Sequence, residues 1–316
     1  MKKRALGSTG LEIAPLVLGG NVFGWTIDQA RSFEVLDAFV DAGLNGIDTA
    51  DAYSVWVPGN QGGESEAIIG NWIKERGQRD KVVIATKVGW EVSPEKKGLR
   101  RDYIIRSAEE SLRRLQTDYI DLYQSHKDDP STPLEETLEA YDRLLQDGKI
   151  RAIGASNYSA DRLREALTVS QQHNLPIYKT MQPEYNLYDR AGYEQELEPL
   201  CLEQGLGVIS YFSLASGFLT GKYRSEEDLN KSQRGGGIKQ YLNERGFRIL
   251  QALDEVAEQY QATPAQISLA WLMARPSVTA PISSATSVEQ LQDLVKATQL
   301  ELDQAALDKL TQASAA

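Results

Sequence analysis

The sequence predicts an α/β fold, a (β/α)8 barrel of the TIM type with an N-terminal β-hairpin closing its bottom. Three observations carry this. Eight apolar, β-branched runs recur at residues 15–19, 45–50, 81–87, 119–126, 150–157, 178–183, 207–212 and 278–283. Helix-like stretches separate them, which argues for parallel strands joined by helical crossovers. The alternative, an open doubly wound sheet with a dinucleotide site, needs a Gly-x-Gly-x-x-Gly turn after the first strand. Here Leu18-Gly-Gly-Asn-Val-Phe-Gly has glycines at the wrong spacing, so eight strands favour closure. A chain of 316 residues with no evident linker, repeat or low-complexity tract suits one barrel domain over residues 1–316.

The elements follow in order. Arg4-Ala-Leu-Gly-Ser-Thr-Gly-Leu-Glu-Ile alternates about a turn at Ser8, Thr9 and Gly10, which reads as the closing hairpin. Apolar residues at three- and four-residue spacing predict helices over 30–42, 64–75, 101–115, 134–145, 160–172, 194–204, 242–260 and 288–297. Ser131-Thr-Pro-Leu-Glu starts one of them with Pro133 near its first turn. Thr263-Pro-Ala-Gln-Ile starts a further helix after 242–260.

Composition narrows the function. With 34 basic and 45 acidic residues the net charge is −11, which argues against nucleic acid or an anionic membrane as a general partner. No apolar stretch follows the charged start, and none is long enough to span a bilayer, so the expectation is a cytoplasmic protein. Cys201 is the single cysteine, and His126 and His173 lack the spacing of a metal cluster. No metal is expected. Cys201 reads as helix packing and His173 as a helix-end or surface group.

Asp48, Tyr53, Lys87 and His126 stand at or just past the ends of three successive strands. In a parallel barrel the C-terminal strand ends form one rim, so these groups converge there. Any one alone has a structural reading, such as a helix cap or a core hydrogen bond. Together they compose an acid. A tyrosine hydroxyl, with an ordinary pKa of about 10, donates a proton poorly near neutral pH. An adjacent ammonium favours its phenolate, an aspartate holds that ammonium, and a histidine orients a substrate oxygen.

Gly46-Ile-Asp-Thr-Ala-Asp-Ala-Tyr, followed by Gly63-Glu-Ser-Glu-Ala-Ile-Ile-Gly, resembles the aspartate–tyrosine signature of the aldo-keto reductase family. Lys87 and His126 fall at the matching strand ends, and the resemblance runs over nearly the whole chain. It implies hydride transfer from NADP(H), or NAD(H), to an aldehyde or ketone, with Tyr53, Lys87, Asp48 and His126 as the catalytic set. It also implies a cofactor held without a Rossmann domain. Ser156, Asn157 and Gln182 would meet the nicotinamide carboxamide, and Tyr211 would stack on the ring. Ser213, Leu214, Ser216, Gly217 and Lys222 resemble the pyrophosphate loop. Gly20, Asn21, Asp48, Ser283, Ser284, Thr286 and Gln290 complete the implied contacts. Arg234, with Lys231 and Gly235-Gly-Gly, would fold over the diphosphate or adenosine.

Two positions depart from the family. Thr286 stands where an arginine often meets the 2′-phosphate, and Leu294 replaces the usual asparagine. A neutral hydroxyl lacks the charge assistance of arginine. Trp25, Trp56 and Trp90 follow the first three strands and are expected to line a substrate pocket with the loops 54–63 and 88–100. The alternative function is a cofactor-binding regulatory or redox-sensing subunit like the potassium-channel β subunits. That branch carries a different residue at the position of His126. A barrel enzyme without nicotinamide would leave Tyr211 and the 214–222 stretch without a role.

Overall fold

The computed structural model describes residues 2–231 and 235–315, so Arg234 lies outside the described residues. Strands β1 (Arg4–Ala5) and β2 (Glu12–Ile13) pair antiparallel, with Gly10 at φ +79° in the connection. That left-handed conformation is open to glycine without steric cost. Eight parallel strands follow: β3 (Val17–Gly19), β4 (Gly46–Asp48), β5 (Val83–Val88), β6 (Ile120–Ser125), β7 (Ile150–Ser156), β8 (Thr180–Gln182), β9 (Gly207–Ser210) and β10 (Ala280–Ser283). Each pairs with the next, and β10 returns to β3 to close the barrel.

Around the barrel lie α1 (Gln29–Asp41), α2 (Glu64–Arg76), α3 (Arg101–Leu115), α4 (Leu134–Gln146) and α5 (Ala160–His173). The later helices are α6 (Ala191–Glu194), α7 (Leu197–Glu203), α8 (Glu244–Tyr260), α9 (Pro264–Met273), α10 (Val288–Lys296) and α11 (Gln304–Ala313). Two outcomes differ from the sequence expectation. The helix expected over 194–204 is two pieces, because Pro199 lacks an N–H and its ring would meet the carbonyl of Gln195 in a continuous helix. Pro133 sits at the N-cap of α4, next to its first turn, in agreement with the expected helix start. Helix α11 was not anticipated, since its fully buried stripe is only Ala306 and Leu310. Thr263 does start α9, through a capping box with Gln266.

Two apolar layers result from the two-residue period of the strands. Ile47, Ile84, Val88, Ile153 and Met181 pack outward in a large core against the helices. Val17, Ala85, Leu122, Ala152, Ile209 and Ala280 form a smaller cluster inside the barrel, sealed by Leu6 and Ile13 of the hairpin. The hairpin therefore plugs the N-terminal end. Because Ala85 points inward, Lys87 two residues on points inward too, nearer the open C-terminal rim.

Helix packing is tight where α2 meets α3. A Cβ added at Gly70 would lie 2.0 Å from the carbonyl oxygen of Arg114 and 2.7 Å from the backbone of Leu115. In an open helix Gly→Ala gains up to about 1 kcal/mol, whereas overpacking costs about 1–3 kcal/mol. Since the obstacle is backbone, overpacking wins. Gly70→Ala is expected to lower the free energy of unfolding by a net ~1–2 kcal/mol, read as a lower urea midpoint. An unchanged or raised midpoint would mean that the two helices separate at little cost.

Candidate active site

Strand register brings the predicted residues together. Asp48 ends β4, Lys87 lies in β5 and His126 follows β6, on three neighbouring parallel strands. Tyr53 returns to this rim on the turn after β4, where its backbone N–H donates to Ala50. The Lys87 ammonium is wholly buried, and Nζ is 2.7 Å from Asp48 Oδ2, 2.9 Å from Thr49 O and 2.8 Å from Tyr53 Oη. Three acceptors match the three ammonium protons. Burial pulls Lys87 below its ordinary pKa, and Asp48 opposes that pull. Tyr53 Oη also donates to Asp48 Oδ2 at 3.2 Å, while Gln182 Nε2 donates to Asp48 Oδ1 at 2.8 Å. Asp48 is thus held from both sides.

His126 meets Tyr53 edge-on, with ring centroids 5.9 Å apart. Burial first, then the cations Lys87 and Lys127, push His126 well below its usual pKa, so it is neutral at physiological pH. Its Nδ1 is buried with no hydrogen-bond partner among the described residues. A neutral imidazole donates one hydrogen bond without bringing a charge. The site therefore offers a proton donor fixed by a buried ion pair, beside a neutral imidazole.

On the neighbouring strand, Asn157 closes β7 in a left-handed conformation at φ +56°. Its Nδ2 donates to His126 O at 2.9 Å and to Ser156 Oγ at 3.1 Å, and its Oδ1 accepts from Tyr211 Oη at 2.7 Å. Ser156 Oγ donates to Gln182 O at 2.9 Å. Ser156, Asn157, Gln182 and Tyr211 are therefore one connected group reaching Asp48. Tyr211 keeps part of its ring exposed.

The next segment winds as a 3-10 turn over Ala215–Thr220, with Ala215, Ser216 and Gly217 left-handed. Ser213 Oγ turns inward to Ser210 O, Leu214 is half-buried and Lys222 is exposed. Lys231 is engaged within its own loop, by Asp228 Oδ1 at 2.7 Å and by the carbonyl of Lys222. Ser283, buried at the end of β10, leads to Ser284, whose Oγ donates to Asn21 Oδ1 at 2.6 Å beside Gly20. A Cβ at Gly20 would stand 2.8 Å from Ser65 Oγ and 3.1 Å from Asp48 O, so this turn is closed to larger residues. Thr286 N and Oγ1 both donate to Gln290 Oε1 at 2.9 Å, at the start of α10.

The tryptophans also gather. Trp56 lies 5.4 Å from Trp25 and 6.2 Å from Tyr53, and Trp90 lies 5.1 Å from His126. Two cavities of about 320 and 360 Å3 lie elsewhere, at the hairpin end of the barrel and beside Pro133 and His173. The chemistry of the side chains around Tyr53, and not a cavity, identifies the site.

Sequence reasoning missed a buried layer behind the ion pair. Ser107 Oγ donates to Asp51 Oδ2 at 3.0 Å, Thr86 Oγ1 to Glu66 Oε1 at 2.5 Å, and Arg114 Nε to Glu66 Oε2 at 2.7 Å. Burial, then the charge of Glu66, pushes Asp51 up to about 7. Asp51 and Glu66 both lie inside the quoted signature, but nothing in their spacing reveals that α2 and α3 bury them. Cys201 is buried in α7, and burial pushes its thiol up to about 12, in keeping with packing. His173 ends α5 with Nδ1 2.9 Å from Glu135. Among the described residues no cluster of His, Cys, Asp and Glu could hold a metal, and no helix is long and apolar enough to cross a membrane.

The profile of the Aldo/keto reductase family matches residues 15–315. The "Uncharacterized oxidoreductase YrpG" of Bacillus subtilis is 36% identical over 98% of this chain and 95% of its own length. The "Aldo-keto reductase YhdN" of the same organism is 34% identical over 94% of this chain and 89% of its own. A "Probable voltage-gated potassium channel subunit beta" of Arabidopsis thaliana is 33% identical over 99% and 96%.

Proposed function

The chain belongs to the aldo/keto reductase family, and from that premise we propose that it is an NADP(H)-dependent reductase of aldehydes or ketones. The observation that carries this is the contact of Lys87 Nζ with both Asp48 Oδ2 and Tyr53 Oη. A buried ammonium touching a tyrosine oxygen stabilises the phenolate, so Tyr53 releases its proton to a carbonyl oxygen as negative charge develops there. Neutral His126 donates to the same oxygen and orients it. Asp48 holds the ammonium.

The residues present fit a nicotinamide cofactor. Ser156, Asn157 and Gln182 supply the hydroxyl and amide groups that suit a carboxamide, and Tyr211 supplies a partly exposed ring pinned by Asn157. When bound, the reduced nicotinamide supplies the hydride. Lys222 and the left-handed turn at Ala215–Thr220 are assigned to the diphosphate, and Ser284, Thr286 and Gln290 to the adenosine end.

The test is a panel of aldehydes and ketones assayed by loss of NADPH and NADH absorbance. Turnover of any carbonyl supports the reductase. The relative named as a channel β subunit supports a second reading, a cofactor-binding regulatory subunit. Tight cofactor binding without turnover of any carbonyl would favour that reading.

Preference between the cofactors has its own expected result. Thr286 is tied to Gln290 and brings no charge. A guanidinium there would add charge-assisted hydrogen bonds to a 2′-phosphate and almost nothing to NADH. Thr286→Arg is expected to tighten NADPH by ~1–2 kcal/mol, roughly tenfold, measured by calorimetric titration of both cofactors. Equal changes for the two would remove Thr286 from the phosphate site.

A further inference from the structure

Six large hydrophobic side chains are notably exposed among the described residues, and two of them, Trp56 (48%) and Trp90 (43%), stand around Tyr53 and His126. Half-exposed tryptophans on the rim of a candidate catalytic site offer flat faces to a flat ligand. What lies beyond Trp90 is cationic. Lys127 Nζ sits 4.9 Å from the centroid of the Trp90 ring, immediately after His126 in the chain.

The carboxylates around Lys127 are taken by other groups. Asp128 Oδ1 binds Arg162 Nε at 2.9 Å. Asp129 accepts from the Leu99 and Ser131 N–H groups and from the Ser131 and Thr132 hydroxyls. Glu91, next to Trp90, is paired with Lys97 at 3.3 Å. Among the described residues no carboxylate lies within ion-pair distance of Lys127, although the chain carries a net charge of −11. Its positive field reaches His126. A lysine that covers one aromatic face, with its neighbouring acids turned away, is a ready partner for a ligand anion.

Resting on the reductase reading, we infer that the substrate of this site is an aromatic carbonyl compound carrying an anionic group, with its carbonyl at Tyr53 and His126, its ring along Trp90 and its anion at Lys127. Lys127 is then a specificity residue for the acid and takes no part in proton or hydride transfer. The anion's interaction is partly solvent-exposed, so its effect is modest and falls as salt rises.

The experiment compares 4-formylbenzoate with its neutral methyl ester as substrates of wild type, Lys127→Gln and Lys127→Arg. The expected ratio of kcat/KM for acid over ester falls by roughly five- to tenfold in Lys127→Gln, persists in Lys127→Arg, and shrinks in wild type with added salt. In parallel, calorimetry with NADPH present compares 4-(hydroxymethyl)benzoate with 4-methylbenzyl alcohol, giving a readout that needs no turnover. Weaker binding of the acid alone in Lys127→Gln supports the inference. If carbonyls are reduced but the ratio and the acid's affinity are indifferent to Lys127, the inference is overturned and the reductase reading stands. If wild type reduces no carbonyl, the reductase reading fails. The calorimetric comparison then still decides whether Lys127 recognises the anion.

Discussion

Tyr53→Phe is expected to lower kcat for carbonyl reduction by about 10²–10⁴-fold while leaving cofactor affinity nearly intact. The variant removes one oxygen. That oxygen accepts from Lys87 Nζ and donates to Asp48 Oδ2, so its loss removes the proposed proton donor and leaves the neighbouring ion pair in place. The phenyl ring keeps its packing beside His126 and Trp56. Single-turnover rates with calorimetric titration of NADPH separate chemistry from binding. Near-wild-type single-turnover rates would sink the assignment of Tyr53 as the donor.

Lys87→Met is expected to have an effect of similar size and, in addition, to change the pH dependence of the rate. Methionine matches the length of lysine but carries no ammonium. Asp48 would be left as a buried anion beside the tyrosine hydroxyl, held by Gln182 and Tyr53 alone. An unpaired anion there disfavours phenolate formation, so reduction slows and its alkaline limb moves to higher pH. Breaking a buried pair also costs about 3–5 kcal/mol of stability, which by itself would lower activity in a partly unfolded sample. Asp48→Asn combined with Lys87→Met separates the two effects: it removes the stranded charge and is expected to recover stability without recovering the rate. Recovery of the rate in the double variant would show that Lys87 serves the fold and not the chemistry.

How much of this was legible in the sequence depended on the range of the interaction. The strand runs were readable because a parallel strand covered by helices is apolar along most of its length, and their order fixed which residues end each strand. Asp48, Lys87 and His126 were found that way. Tyr53 was found through its place five residues after Asp48, in a signature and not in a strand. The break before Pro199 was also present in the chain, as the absent N–H of one residue, but helical periodicity across 194–204 hid it. The helix start at Thr263 was legible because its signal is local, within a few residues, and the structure closes it as a capping box with Gln266.

The order of the eight strands, the hairpin, the family to which the chain belongs and the residues gathered at the strand ends were set by the sequence alone, because each follows from local periodicity or a short motif. Tertiary structure decided the rest. Only closure of the barrel brings Gln182 Nε2 within 2.8 Å of Asp48 Oδ1 across 134 residues of chain, so that the amide donates to the carboxylate that also holds Lys87. Only packing of α2 on α3 buries Asp51 and Glu66 behind Lys87, and only the loop after β6 lays Lys127 on Trp90. The physical reason is that hydrogen bonds and charge interactions act over a few ångströms of space, whereas sequence orders residues along the chain, and no pattern within one strand or helix specifies which side chains closure will bring face to face.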